Sequence, residues 1–167
     1  MNYFQLFDIA VKLKVDKNEV RRKYLALSKK NHPDYFVNES GEEQQKSLEI
    51  FSLLNKALKT FTKEDETIRY VLQLKGLLEE EEKYALSPAF LMQMMEVNEE
   101  LSEATEDPSK KAQLFKQLTQ LEKEIYEPVQ DIVEKYKEGD TTEKELLQVK
   151  DYYFRKKCLD RIRHQFG

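Results

Sequence analysis

An all-α fold follows from three features of this 167-residue chain. Charged residues make up 36% of it, glycine and proline number only four each, and tryptophan is absent. A β-sandwich or barrel needs a turn every 8–12 residues or so, and these turn-formers are too few to supply them. The apolar residues recur instead at helical spacing, and at 40% they are plentiful enough for a core.

The first half divides into four helical stretches. Residues 2–8 form a short aromatic one, with Tyr3, Phe4, Leu6 and Phe7. Asp16 is placed to cap the second, with Glu19 as its capping-box partner. There Val20, Tyr24 and Leu27 fall at i, i+4 and i+7, a narrow apolar stripe. Pro33 must end this helix, because it pushes residue 32 out of the α region and offers no N–H. The polar run Asn38 to Glu43 leads into the third helix, where Ser47, Ile50, Phe51, Leu54, Ala57, Leu58 and Phe61 keep helical spacing. A short fourth helix carries Ile68, Val71, Leu72 and Leu74 before Gly76.

The second half reads as three helices. Ser87-Pro88 starts the first, with proline at its favoured N1 position and a stripe of Phe90, Met94, Val97, Leu101 and Ala104. Asp107-Pro108 starts the next, which runs through Leu114, Leu118, Leu121 and Ile125 toward Tyr136, bent or divided at Pro128. Gly139-Asp140 breaks the chain. Thr142 and Glu145 form a capping box for the last helix, with Leu147, Phe154, Cys158 and Ile162 on its apolar side.

Charge separates the halves. Residues 1–75 hold 14 Lys and Arg against 11 Asp and Glu, a net of +3; residues 76–167 hold 14 against 21, a net of −7. Gly76, the acidic run Glu79 to Glu82 and Ser87-Pro88 mark the boundary. The whole chain, at −4 with a pI near 5.4, is not suited to a polyanion, so no nucleic-acid partner is expected. Cys158 is the only cysteine, which rules out an internal disulfide. The first residues lack a basic start followed by an apolar stretch, and no apolar run approaches the roughly 20 residues that span a bilayer. A cytoplasmic protein without a membrane partner is expected.

The sharpest motif is His32-Pro33-Asp34 at the end of the second helix. Residues 16–31 carry six bases against Asp16 and Glu19, a net of +4. In projection, Arg22 and Lys29 lie opposite the apolar stripe, with Lys23 and Lys30 on one flank. Such a face suits an acidic partner surface and speeds encounter. Read alone, a basic face is ordinary solvated surface, and Asp34 can serve as a turn-former.

With its setting, this stretch resembles the J domain of DnaJ-type co-chaperones. The short aromatic helix, the basic helix, the His-Pro-Asp loop and Leu54-Asn55-Lys56-Ala57-Leu58 carry the likeness over residues 1–75 or so. The resemblance implies that Arg21, Arg22, Lys23, Lys29 and Lys30 dock on a seventy-kilodalton heat-shock chaperone. It also implies that His32, Pro33 and Asp34 trigger that chaperone's ATP hydrolysis. Asn31 and Tyr35 depart from the Tyr and Lys that many J domains place around the tripeptide, and Tyr35 removes one basic contact.

On the helix from Ser87, Leu91, Met92 and Met95 lie off the core stripe, with Glu96, Glu99 and Glu103 beside them. Such surplus apolar residues suit a partner-binding face, though periodicity alone equally allows a neighbouring helix to cover them. The whole chain resembles the HscB family of J-type co-chaperones of iron–sulfur cluster biogenesis. The carriers are Asn2-Tyr3-Phe4, the run Arg69 to Gly76, and Pro88-Ala-Phe-Leu-Met-Gln-Met-Met-Glu-Val-Asn-Glu-Glu-Leu. The family implies a J domain at 1–75, a linker at 76–87 and an antiparallel three-helix bundle at 88–167 that binds an IscU-type scaffold. The implied scaffold contacts are Leu91, Met92, Met95, Glu96, Glu99, Glu103 and Phe154, the last of which also fits the core. The implied chaperone is HscA- or DnaK-like.

No enzyme is expected. The chain has two histidines, no nucleophile elbow and no phosphate-cradling glycine loop. Cys158 and His164 sit about 600° apart on one helix, so neither a metal nor another cofactor is expected, and Cys158 reads as core. A J-domain co-chaperone with a different client, and a helical adaptor whose His-Pro-Asp is incidental, remain open alternatives.

Overall fold

The computed structural model describes residues 1–167, and its regular structure is helical throughout. Eight α-helices follow in order: α1 (Tyr3–Phe7), α2 (Lys17–Asn31), α3 (Gly41–Thr62), α4 (Glu64–Leu74), α5 (Pro88–Glu103), α6 (Pro108–Tyr126), α7 (Gln130–Glu134) and α8 (Glu143–Phe166). Short 3-10 turns cover Pro33–Phe36 and Glu127–Val129. The chain divides into two compact units, residues 1–71 with 136–140, and residues 72–135 with 141–167.

The helix starts are set by local chemistry. Asn2 and Gln5 form a complete capping box on α1, which the sequence reading missed. Asp16 caps α2 by accepting from the N–H groups of Asn18 and Glu19, but the expected return bond from the Glu19 side chain is not made. α3 begins at Gly41, inside the run read as a polar lead-in. Ser40 caps it, and Glu42 and Glu43 then sit at the positive end of the helix dipole, where carboxylates are favourable. Thr142 and Glu145 make the expected box on α8.

In the first unit, α2 and α3 form a hairpin joined through the Pro33 turn. Its core holds Leu13, Val20, Leu54, Ala57 and Ile68, together with an aromatic cluster. The rings of Phe4 and Phe7 stand 5.0 and 5.3 Å from that of Phe61, and Tyr3 stacks on Tyr70 at 4.5 Å. The Tyr70 hydroxyl accepts from the Tyr3 N–H, and burial holds its ionisation above the ordinary tyrosine value. Thr67 is buried, with its hydroxyl donating to the carbonyls of Thr60 and Lys63, which fixes the corner between α3 and α4. Leu74 was expected on the apolar side of α4 but is exposed. It is the last residue of the helix, beside Gly76, whose φ of +71° lets Leu77 N–H close back onto the Leu72 carbonyl.

In the second unit, α5, α6 and α8 pack as an antiparallel three-helix bundle. Its core is the expected Phe90, Met94, Val97, Leu101 and Ala104 with Leu114, Leu118, Leu159 and Ile162. Cys158 is half-buried at the edge of this core rather than inside it. Pro128 divides the chain after α6, so the second helix of this half becomes α6, a 3-10 turn and α7. Leu147 was expected on the apolar side of α8 and is instead 45% exposed; the buried residues nearby are Leu146, Val149, Tyr152 and Tyr153.

The irregular segment before α5 is tied to α8. Glu82 pairs with Lys150 at 2.6 Å, a hydrogen bond that holds its carboxyl below the usual carboxylate range. The Tyr84 hydroxyl donates to Asp151 at 2.8 Å, and its ring stacks on Phe154 at 4.6 Å. Burial, then the hydrogen bond to Asp151, push the Tyr84 phenol up to about 12. The folded state therefore keeps this proton where the unfolded chain, titrating near 10, loses it. The stabilisation is whole below pH 10 and disappears as the pH climbs towards 12. In urea titrations across that window, the wild-type midpoint is expected to fall more steeply than that of Tyr84→Phe. Equal slopes would show that Tyr84 does not couple to folding.

Candidate functional site

The first candidate face is built by α2 and the loop that ends it. Arg21, Arg22, Lys29 and Lys30 are exposed and carry no ion pair. Lys23 differs: its ammonium lies 3.9 Å from the Asp8 carboxylate and 3.5 Å from the Asp8 carbonyl, which ties it back toward α1. Of the stripe facing α3, Val20 is buried, while Tyr24 and Leu27 are half-buried. Tyr24 uses its hydroxyl to donate to Asn55 Oδ1 at 2.7 Å.

His32 leaves the helix in extended conformation, as the following proline requires, with φ −62° and ψ 131°. Its Nδ1 accepts from the Asp34 N–H at 3.2 Å, and the side chain is 44% exposed. The ring edge packs on Phe51 of α3 at 5.2 Å and meets Tyr35 at 6.2 Å. The Asp34 carboxylate is 85% exposed, with one oxygen 3.6 Å from His32 Nδ1. The loop thus presents a half-exposed imidazole and an exposed carboxylate on a fixed backbone.

Two residues hold that backbone, and neither was singled out from sequence for this role. Ser47, counted only as a stripe position, is buried, and its hydroxyl donates to the Asn31 carbonyl at 2.9 Å. Asn31 in turn donates its side-chain amide to the Leu27 carbonyl at 2.8 Å. A polar residue at a core position of α3 was the available signal, since a buried hydroxyl must find a partner.

The second candidate face lies on α5. Leu91, Met92 and Met95 are 41%, 63% and 70% exposed, and Glu96, Glu99 and Glu103 are exposed beside them. No neighbouring helix covers them. Met92, Met95, Glu96, Glu99 and Glu103 fall within about 100° of one another on the helix, opposite the buried Met94 and Leu101. Three unpaired carboxylates beside flexible thioethers suit a partner that is apolar at its centre and basic at its rim. Phe154 is half-buried on α8, with one ring face taken by Tyr84 and its edge against Tyr153 at 5.2 Å.

No group of three His, Cys, Asp or Glu side chains is arranged to hold a metal ion, and no helix is long and apolar enough to cross a membrane. An open groove of about 730 Å³ lies in the second unit among Tyr84, Phe90, Leu121, Ile125, Leu147 and Arg155, with Arg155 over the Phe90 ring at 4.7 Å.

Comparison with known proteins agrees with this layout. Residues 86–166 match the family described as the HSCB C-terminal oligomerisation domain. The co-chaperone protein HscB homolog of Psychromonas ingrahamii is 34% identical over 131 residues, which cover 75% of this chain and 78% of that protein. The iron-sulfur cluster co-chaperone protein HscB homolog of Arabidopsis thaliana is 33% identical over 109 residues, 65% of this chain; the match spans only 43% of that longer relative. The crystal structure of human co-chaperone protein HscB superposes with a TM-score of 0.83 at 25% identity, covering 99% of this chain and 80% of that one. An all-helical pair of units, a His-Pro-Asp loop on a basic helix and a relative matched over three quarters of both chains lead to one assignment: the chain belongs to the HscB co-chaperone family.

Proposed function

We propose that this protein is a co-chaperone of iron–sulfur cluster biogenesis. In this reading it docks on a seventy-kilodalton heat-shock-type chaperone of the HscA or DnaK kind and stimulates its ATPase through the His32-Pro33-Asp34 loop. It delivers an IscU-type scaffold held on the face of Leu91, Met92, Met95, Glu96, Glu99 and Glu103, with Phe154 nearby in role. The observation that carries this is the His-Pro-Asp tripeptide, with half-buried His32 and Pro33 and exposed Asp34, at the end of a helix whose bases Arg21, Arg22, Lys29 and Lys30 have no partner within the chain. Its J domain occupies residues 1–75 and its scaffold-binding domain residues 88–167.

The mechanism is one of proximity. The basic face steers the encounter with an acidic chaperone surface, and the second face brings the scaffold with it. Holding both on one molecule raises the scaffold's effective concentration at the chaperone without any new contact. Hydrolysis then traps the scaffold on the chaperone. The chain itself binds and positions; it carries out no chemistry.

Titration with apo IscU-type scaffold tests the client half. Wild-type protein is expected to bind, and Met92→Ala with Met95→Ala to weaken binding at least about tenfold, as loss of central exposed anchors does. Both side chains are exposed, so the fold is expected to survive. Failure of the wild type to bind rejects the scaffold assignment. Unchanged affinity in the double variant places the client elsewhere.

A further inference from the structure

Leu25 is 56% exposed in the middle of α2, and Tyr35, in the loop, is 63% exposed. Leu25 belongs to no core and lies among the bases. Positions 22, 25, 29 and 32 are spaced three, four and three apart, so Arg22, Leu25, Lys29 and His32 run along one side of the helix. Leu25 lies about 10 Å from His32 along the axis, and the Tyr35 ring follows at 6.2 Å from that of His32. The docking face is therefore a basic border with apolar side chains along its middle. A stretch that relied on charge alone would gain nothing from an exposed leucine at its centre, and exposed apolar groups are the ones that gain from burial on binding.

We propose that Leu25 and Tyr35 are the apolar anchors of the chaperone-docking face, seating on a chaperone surface that is apolar at its centre and acidic at its rim. This rests on the proposed function and deepens it. Arg22 and Lys29 steer and orient the encounter, while the two apolar side chains slow dissociation. Tyr35 adds exposed apolar area beside the loop without adding charge. Docking by this chain is consequently less sensitive to salt than its basic helix suggests.

The experiment measures single-turnover ATP hydrolysis by a DnaK-type chaperone against the concentration of the full chain, in low salt and at about 0.5 M, where screening acts within a few Å. Leu25→Ala is expected to raise the half-maximal concentration roughly five- to tenfold at both salts, with the maximal rate unchanged. Arg22→Ala is expected to show a defect that shrinks with salt. Leu25→Lys decides the matter by its sign. An apolar seat makes it weaken docking, whereas a purely acidic seat makes it tighten docking, which overturns the proposal. Both residues are helix formers at an exposed position, so neither change threatens α2. A Leu25→Ala curve within twofold of wild type also overturns it. Should the wild type stimulate and His32→Gln not, while both Leu25 variants match wild type, only this inference fails. Should the wild type give no stimulation, the proposed function itself fails.

Discussion

His32→Gln is expected to return ATP hydrolysis by a DnaK-type chaperone to near its unstimulated rate, a loss of at least about thirtyfold in stimulation. The imidazole does two things that a glutamine amide cannot combine. Its Nδ1 receives the Asp34 N–H, fixing the loop, while its ring packs against Phe51. A glutamine can offer an acceptor, but not on a flat ring packed against another ring. Asp34→Asn is the companion variant. That carboxylate is 85% exposed, so its loss costs the fold within about 0.5 kcal/mol, and a fall in stimulation then reports on the partner rather than on stability. Single-turnover hydrolysis together with circular dichroism checks both. Stimulation kept within twofold in either variant would remove the tripeptide from the mechanism.

Phe61→Ala is expected to destabilise the first unit by about 3–5 kcal/mol, the usual cost of emptying a buried phenylalanine site. Phe61 is fully buried and touches the rings of Tyr3, Phe4 and Phe7, so the cavity opens among three aromatic neighbours from α1 that cannot all collapse into it. A unit of this size has roughly 4–11 kcal/mol in hand, so the variant stands close to unfolding. Amide exchange resolves the effect by unit. The protected amides of α3 are expected to exchange about a hundredfold faster or more, while those of α5, α6 and α8 keep their rates. A change below tenfold in α3 would mean that α1 is not what closes this unit.

What was readable in the sequence, and what was not, divides along the range of the physics. Prolines act on their immediate neighbours, so Pro33, Pro88, Pro108 and Pro128 marked helix ends or starts correctly. The α5 stripe was readable because one helix face meets one core; all five expected residues are buried. Leu147 on α8 breaks this pattern and is exposed. Buried residues on α8 run from Leu146 and Val149 through Tyr152 to Ile162 and occupy about 200° of its circumference, so no narrow stripe exists to be read. The tripeptide and its basic helix were legible as a motif. The bonds that hold the loop, Ser47 to Asn31, His32 on Phe51 and Tyr24 to Asn55, were not. Each depends on the register of α2 against α3, and single-helix periodicity carries no information about register.

The aromatic cluster also orders events during synthesis. Phe4 and Phe7 are translated more than fifty residues before Phe61, the ring that covers them. At about 5–20 residues per second, α1 waits several seconds with its two phenylalanines bare. The first unit cannot close progressively from α1 onward: α1 stays uncovered until the end of α3 brings Phe61 to it and α4 brings Tyr70.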